Sequence, residues 1–200
     1  IQLKHIDIGG GLGVTYKDEV PPTVFEYANA MKPALEKLGL KVYMEPGRSI
    51  SANAGALLTK VDLLKPTNHR NFAIIDAAMN DLMRPSLYNA YHDIINTSQS
   101  SESSAQFDVV GPVCETGDFI GKDRMLSLEE GNVLAVVDVG AYGMSMSSNY
   151  NSRVRPVELL VDENKIIEMA AGGFHLAQSG IDLSDSGDRI TVSYLFMKGS

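Results

Sequence analysis

Apolar and polar positions follow two regimes along this chain, and the change comes near residue 55. Before it, residues 3–8 read as a strand that runs into Gly9, Gly10, Gly11 and Gly13, a spacing that predicts a tight backbone turn. Residues 23–38 carry Phe25, Tyr27, Ala28, Met31, Leu35 and Leu38 at helical spacing, with Gly39 as a stop. Residues 41–44 form a second short strand that ends in the run EPGRS. Strand, loop, helix and strand make a βαβ unit with a parallel sheet, and in such folds chemistry collects at the C-terminal ends of strands. The glycine turn and EPGRS share that address.

After residue 55 the runs shorten. Residues 56–64, 72–76, 106–110, 133–139 and 157–161 are strand-like and separated by Gly, Pro, Asn and Ser, which predicts a mainly β domain. Residues 86–94 predict a brief helix, and TSQSSESS at 97–104 an exposed loop. In the tail the run ITVSYLF, residues 190–196, predicts one further strand. The chain opens as a strand at its first residue, the pattern expected of a fragment whose upstream half is missing.

Composition narrows the function classes. A chain of 200 residues with 44% hydrophobic content can bury one core. A formal charge of −8 argues against a nucleic-acid partner, because phosphates need clustered Lys and Arg. The single cysteine excludes an intrachain disulfide framework and fits a reducing compartment. With no apolar run of membrane-spanning length and no basic-then-apolar leader, the expectation is a soluble, cytoplasmic protein that meets no membrane.

Candidate chemistry sits in four places. The glycine turn at 9–11 exposes backbone N–H groups suited to a phosphate, while the spacing departs from the dinucleotide fingerprint. Glu45 and Arg48 flank Pro46 and Gly47, as a surface ion pair or as a carboxylate for a protonated ring nitrogen beside a guanidinium that forks onto an anion. Arg84 and Tyr88 are four apart and share a helix face if the turn after Pro85 is helical; composition favours an exposed arginine above a core tyrosine. Cys114, beside Glu115, is either a small buried hydrophobe or a reactive thiol. The four histidines, 5, 69, 92 and 175, lack ligand spacing with one another or with Cys114, so no metal site is expected.

Five motifs in order, HIDIGGGLG, EPGRS, DAAMNDLMRPSLYNAYH, VVGPVCETGDFIGKD and DVGAYGMSMSSNYN, resemble the diaminopimelate decarboxylases of the fold-type-III pyridoxal-phosphate family. The resemblance covers roughly residues 1–165. It implies the last two strands of a TIM-type α/β barrel over 1–54, a mainly β domain over 55–171, and a divergent tail over 172–200. It further implies a homodimer with shared active sites, pyridoxal 5'-phosphate as cofactor, and decarboxylation of meso-2,6-diaminopimelate to L-lysine and CO2. Gly9, Gly10 and Gly11 match the phosphate loop, Glu45 the partner of the pyridine nitrogen, and Gly47, Arg48 and Tyr142 further cofactor contacts. Arg48, Arg84, Tyr88, Glu115 and Tyr142 match residues that hold the substrate. Cys114 matches the thiol that reaches the neighbouring subunit's site, where it is the candidate proton donor.

The departures are as informative. None of the chain's lysines matches the family's Schiff-base lysine, and the ring-stacking histidine has no counterpart either; both belong to the missing N-terminal barrel half. Val154 stands where proline is common, and residues 172–200 replace the usual charged closing segment. The rival expectation is therefore a catalytically incomplete fragment that acts as a dimerisation or binding module.

Overall fold

A computed structural model describes residues 1–98, 100–162, 165–170 and 192–197. Two short strands, β1 (His5–Asp7) and β2 (Lys41–Tyr43), pair in parallel and are joined by the helix α1 (Val24–Glu36). Thr23 starts the helix with a capping box: its hydroxyl accepts from the Glu26 N–H at 3.2 Å, and the Glu26 carboxylate accepts from the Thr23 N–H at 2.8 Å. Gly39, at φ +61°, takes the left-handed turn beyond the helix end. No residue of α1 is buried. Its apolar side, with Tyr27, Met31 and Leu35, faces Ile8, Val42 and Met44 across a cavity of about 350 Å³, and Phe25 is 74% exposed.

A short helix, α2 (Gly47–Ser51), and a 3₁₀ turn (Ala52–Ala54) lead into the β domain. Its strands are β3 (Gly55–Lys65), β4 (Asn71–Ile75), β5 (Ile94–Asn96), β6 (Ala105–Val110), β7 (Phe119–Leu126), β8 (Val133–Val136), β9 (Val157–Asp162), β10 (Lys165–Ala170) and β11 (Val192–Met197). Two further short helices, α3 (Arg84–Tyr88) and α4 (Gly143–Met146), interrupt them. The long strand β3 is the hub: its first half pairs antiparallel with β8 and β11, and its second half with β4 after an irregularity between Val61 and Leu63. β4 pairs with β6 in parallel, β6 with β7 antiparallel, and β8 with β5 antiparallel.

The path β8–β3–β4–β6–β7 curls back until β7 packs on β5, so the sheet is nearly a barrel. A Cβ on Gly121 of β7 would stand 2.8 Å from Ile94 Cδ1 of β5, and Arg124 Nη2 donates to the His92 carbonyl at 2.9 Å. Inside lie Leu57, Val61, Ile75, Val109, Ile120, Leu134 and Val136, alternate residues of their strands, in one continuous core.

Two expectations shift. The helix expected over 86–94 is only the five-residue α3; Asn89 ends it at φ 51°, a left-handed position asparagine tolerates, and the chain turns into β5. The strand expected over 190–196 is β11, bound on both sides by β3 and β9. The remaining tail residues, 171–191 and 198–200, lie outside the described residues. Among the described residues no helix is long and apolar enough to cross a membrane.

Candidate functional site

The glycine turn leaves β1 beside the end of β2. Gly9 and Gly11 hold φ +67° and +90°, and a Cβ on Gly10 would stand 2.5 Å from the Glu45 carbonyl oxygen. The Glu45 N–H donates to the Gly9 carbonyl at 2.8 Å and Tyr27 Oη donates to the Gly10 carbonyl at 2.8 Å, so the two strand ends are locked together. Among the described residues the N–H groups of Gly10, Gly11 and Gly13 meet no protein acceptor, and a Cβ on Gly9 or Gly11 would meet nothing within 4 Å. Such an open row of N–H groups is a surface for an anion. Glu45 is exposed and makes no ion pair with Arg48, so the plain surface-pair reading has no geometry behind it.

A second group gathers where α2 meets the β domain. The Arg48 guanidinium lies 5.5 Å from the centre of the Tyr142 ring. Tyr142 itself sits at φ 68°, a strained conformation for a bulky residue, costing on the order of 1–3 kcal/mol. Arg84, at the start of α3, is only 7% exposed; its guanidinium lies 5.0 Å from the Tyr16 ring and 5.9 Å from the Tyr142 ring. Arg84 Nη1 is 3.2 Å from His92 Nε2, and among the described residues no carboxylate pairs with it. Tyr88, one turn on, is 63% exposed. The expected exposed arginine above a core tyrosine is thus reversed. Burial, followed by the nearby Arg84 and Arg124 cations, pushes the His92 imidazole down to about 4, so the ring is neutral.

The third group is the turn between β6 and β7. Cys114 and Glu115 are exposed at its tip, so Cys114 is not a small buried hydrophobe. The turn is anchored by the buried Asp118, which accepts from the Val113 N–H at 2.6 Å and the Met79 N–H at 2.7 Å. Ser86 of α3 donates to the Gly117 carbonyl, tying the turn to the helix that carries Arg84, and Tyr150 Oη is 3.4 Å from Glu115 Oε2.

Behind both groups is a buried acidic frame. Arg153 donates from Nη2 to the Asp76 carbonyl at 2.6 Å and from Nε to Asn80 Oδ1 at 3.1 Å, and lies 3.7 Å from the Asp81 carboxylate. Burial raises the Asp81 carboxyl from 3.8 to about 6, against the Ala78 N–H and the Arg153 cation, which pull it down. Burial also raises Asp76 and Asp118. The folded protein holds the Asp81 proton more tightly than the unfolded chain. Its contribution to stability is therefore complete below about pH 4 and lost as pH rises through about 6. In urea unfolding, wild type is expected to lose about 2 kcal/mol relative to Asp81→Asn between pH 4 and 7. A difference that stays flat over that range contradicts the raised carboxyl.

The structure therefore brings Arg48, Arg84 and Tyr142 into one cluster and Gly9, Gly10, Gly11 and Glu45 into another beside it, with Cys114 and Glu115 on a separate exposed turn. Gly47 opens α2 between the first two, and Tyr88 stays outside the arginine–aromatic stack. Sequence reasoning missed Tyr16 and His92. The histidine was weighed only as a metal ligand, and among the described residues no three His, Cys, Asp or Glu groups could hold a metal. Tyr16 lies in the long loop after the glycine turn, and only the run of that loop back onto the β domain reveals it.

A family model described as the pyridoxal-dependent decarboxylase C-terminal sheet domain matches residues 14–140. The diaminopimelate decarboxylase of Vibrio cholerae is 58% identical over 166 residues, 82% of this chain and 40% of that protein. The crystal structure of diaminopimelate decarboxylase from Helicobacter pylori complexed with L-lysine superposes with a TM-score of 0.80 at 44% identity, covering 87% of this chain and 43% of that one. The structure of AQ1208 from Aquifex aeolicus gives a TM-score of 0.81 at 45% identity, covering 86% and 43%. The chain spans about two fifths of the length of the curated relatives it matches.

Proposed function

The chain belongs to the pyridoxal-dependent decarboxylases, whose C-terminal sheet domain it carries, and from that premise we propose that it is the substrate-clamping half of a cytoplasmic diaminopimelate decarboxylase. The complete enzyme converts meso-2,6-diaminopimelate to L-lysine and CO2. The observation that carries this reading is Arg84: a guanidinium 7% exposed, 5.0 and 5.9 Å from the centres of two tyrosine rings, with which no carboxylate among the described residues pairs. A buried, uncompensated cation is costly and is kept where an anionic ligand completes it. Diaminopimelate carries a second carboxylate at its distal end, and a diamine or a substrate ending in a bare amine does not.

The glycine loop fits pyridoxal phosphate. Its unpartnered N–H groups receive the phosphate, the neighbouring Glu45 carboxylate keeps the pyridine nitrogen protonated, and Gly47 and Arg48 border the same edge. When bound, the cofactor supplies the electron sink for loss of CO2. Arg84 and Arg48 hold the distal carboxylate, Tyr142 and Tyr88 frame the substrate, and Glu115 takes the distal ammonium. Cys114 Sγ gives a proton to the carbon that has lost CO2. The exposed Cys114–Glu115 turn supports a homodimer in which each turn completes the other subunit's site.

Residues 1–54 are the last two strands of a TIM-type barrel in this reading, and residues 55–171 the sheet domain. The two-stranded β1–β2 sheet, the cavity of about 350 Å³ against α1 and the wholly unburied helix support it, since barrel strands need neighbours on both edges. The upstream half supplies the cofactor-bearing lysine. Lysine and CO2 are expected in equal amounts from the full-length protein, and none from residues 1–200 alone; borohydride is expected to fix the cofactor to a lysine outside this chain. Lysine formation by residues 1–200 alone overturns the need for a second half. A full-length protein that dimerises without turnover favours the binding-module reading instead.

A further inference from the structure

We infer that His92 is a positioning residue: it aims the Arg84 guanidinium at the substrate's anionic end by serving as a neutral acceptor of fixed tautomer. The inference rests on the reading of Arg84 given above. A backbone carbonyl only accepts, so His92 Nδ1, 3.1 Å from the Val137 oxygen, must carry the ring proton. Nε2 is then bare and accepts from Arg84 Nη1 at 3.2 Å. The ring cannot drift, because it is fully buried and the backbone is held both at His92 and at the next residue. The His92 carbonyl accepts from Arg124 Nη2 at 2.9 Å, and Val137 N–H donates to the Asp93 carbonyl at 3.0 Å, continuing the β5–β8 ladder. Tyr16 packs edge-on to the imidazole, ring centres 5.2 Å apart, and turns its face to the guanidinium.

The choice of a neutral acceptor has a chemical consequence. A carboxylate in this place would orient Arg84 equally well but would neutralise it, leaving little attraction for a substrate carboxylate. An imidazole engages one N–H and leaves the charge and the other four donors to the ligand. The depressed His92 basicity keeps the ring in that form throughout the physiological range.

In the full-length enzyme, His92→Phe is expected to raise KM for diaminopimelate about ten- to hundredfold with kcat little changed, the loss of one hydrogen bond to a charged group. His92→Gln, whose side-chain carbonyl can still accept from Arg84, is expected to recover most of that loss. Imidazole ¹⁵N shifts of His92 are expected to show Nδ1 protonated and Nε2 bare at pH 7. This measurement needs no turnover and stands if the Phe variant does not fold. An Nε2-protonated ring, or a Gln variant no better than Phe, overturns the role of His92. If Arg84→Met itself leaves KM unchanged, the reading of Arg84 fails rather than the tautomer assignment.

Discussion

Arg84→Met in the full-length enzyme is expected to raise KM for diaminopimelate by two to three orders of magnitude while leaving the thermal midpoint unchanged or higher. The two effects have one cause. Removing one partner of a buried, hydrogen-bonded charge pair costs about 2–5 kcal/mol of binding, and about 1.4 kcal/mol is tenfold. In the free protein, however, the same guanidinium is desolvated to 7% exposure with only a neutral imidazole and two aromatic faces for company. Replacing such a charge with an apolar side chain of similar length often costs the fold nothing. Calorimetry beside steady-state kinetics separates the two. L-lysine keeps the distal carboxylate and should lose affinity in parallel, whereas cadaverine, which has no carboxylate, should not. A midpoint lowered by many degrees would instead make Arg84 a structural residue.

This arginine also marks where sequence stopped informing. The period of α1, its stop at Gly39 and the strand-like runs of β3, β4, β6, β8 and β9 are local signals, and each was readable, whereas the Thr23 cap emerged only in the structure. β7 was not. Gly121, Lys122 and a left-handed Asp123 at φ 55° break its alternation, and the strand is held instead by irregular pairing with β6 and by packing on Ile94. The burial of Arg84 is wholly tertiary: Tyr16 comes from the loop between β1 and α1, Tyr142 from the turn after β8 and His92 from the entry to β5. Composition assigns an arginine to the surface and a tyrosine to the core, and three distant segments reverse that. Glu45 and the glycine turn were legible because both lie at strand ends of one βαβ unit. The assignment of Cys114 came from the order of motifs, since a lone cysteine carries no chemistry in its neighbours.

Gly140→Ala is expected to be the most damaging glycine-to-alanine substitution among the described residues, costing about 3 kcal/mol or more of stability and taking the site with it. The methyl would stand 2.0 Å from the Ser51 carbonyl oxygen and 2.9 Å from the Gly55 nitrogen, both backbone atoms that no rotamer change can move. Around it the Gly140 N–H donates to the Ala52 carbonyl at 3.0 Å and the Val139 N–H to the Gly55 carbonyl at 3.0 Å. These bonds join the segment that leads from α2 into β3 to the chain leaving β8. The same join sets Arg48 of α2 over Tyr142, 5.5 Å from its ring. Prising it open therefore weakens the fold and separates two proposed ligand contacts at once. Gly131→Ala is the control. Gly131 holds a left-handed φ of +87°, which Gly140 does not, but its Cβ would enter open space, so only the backbone penalty of about 1–2 kcal/mol applies. Urea midpoints of the two variants, with L-lysine affinity measured on each, test the distinction. Equal midpoints would mean that the contact at Ser51 relaxes freely, and an unaltered lysine affinity in Gly140→Ala would detach this join from the site.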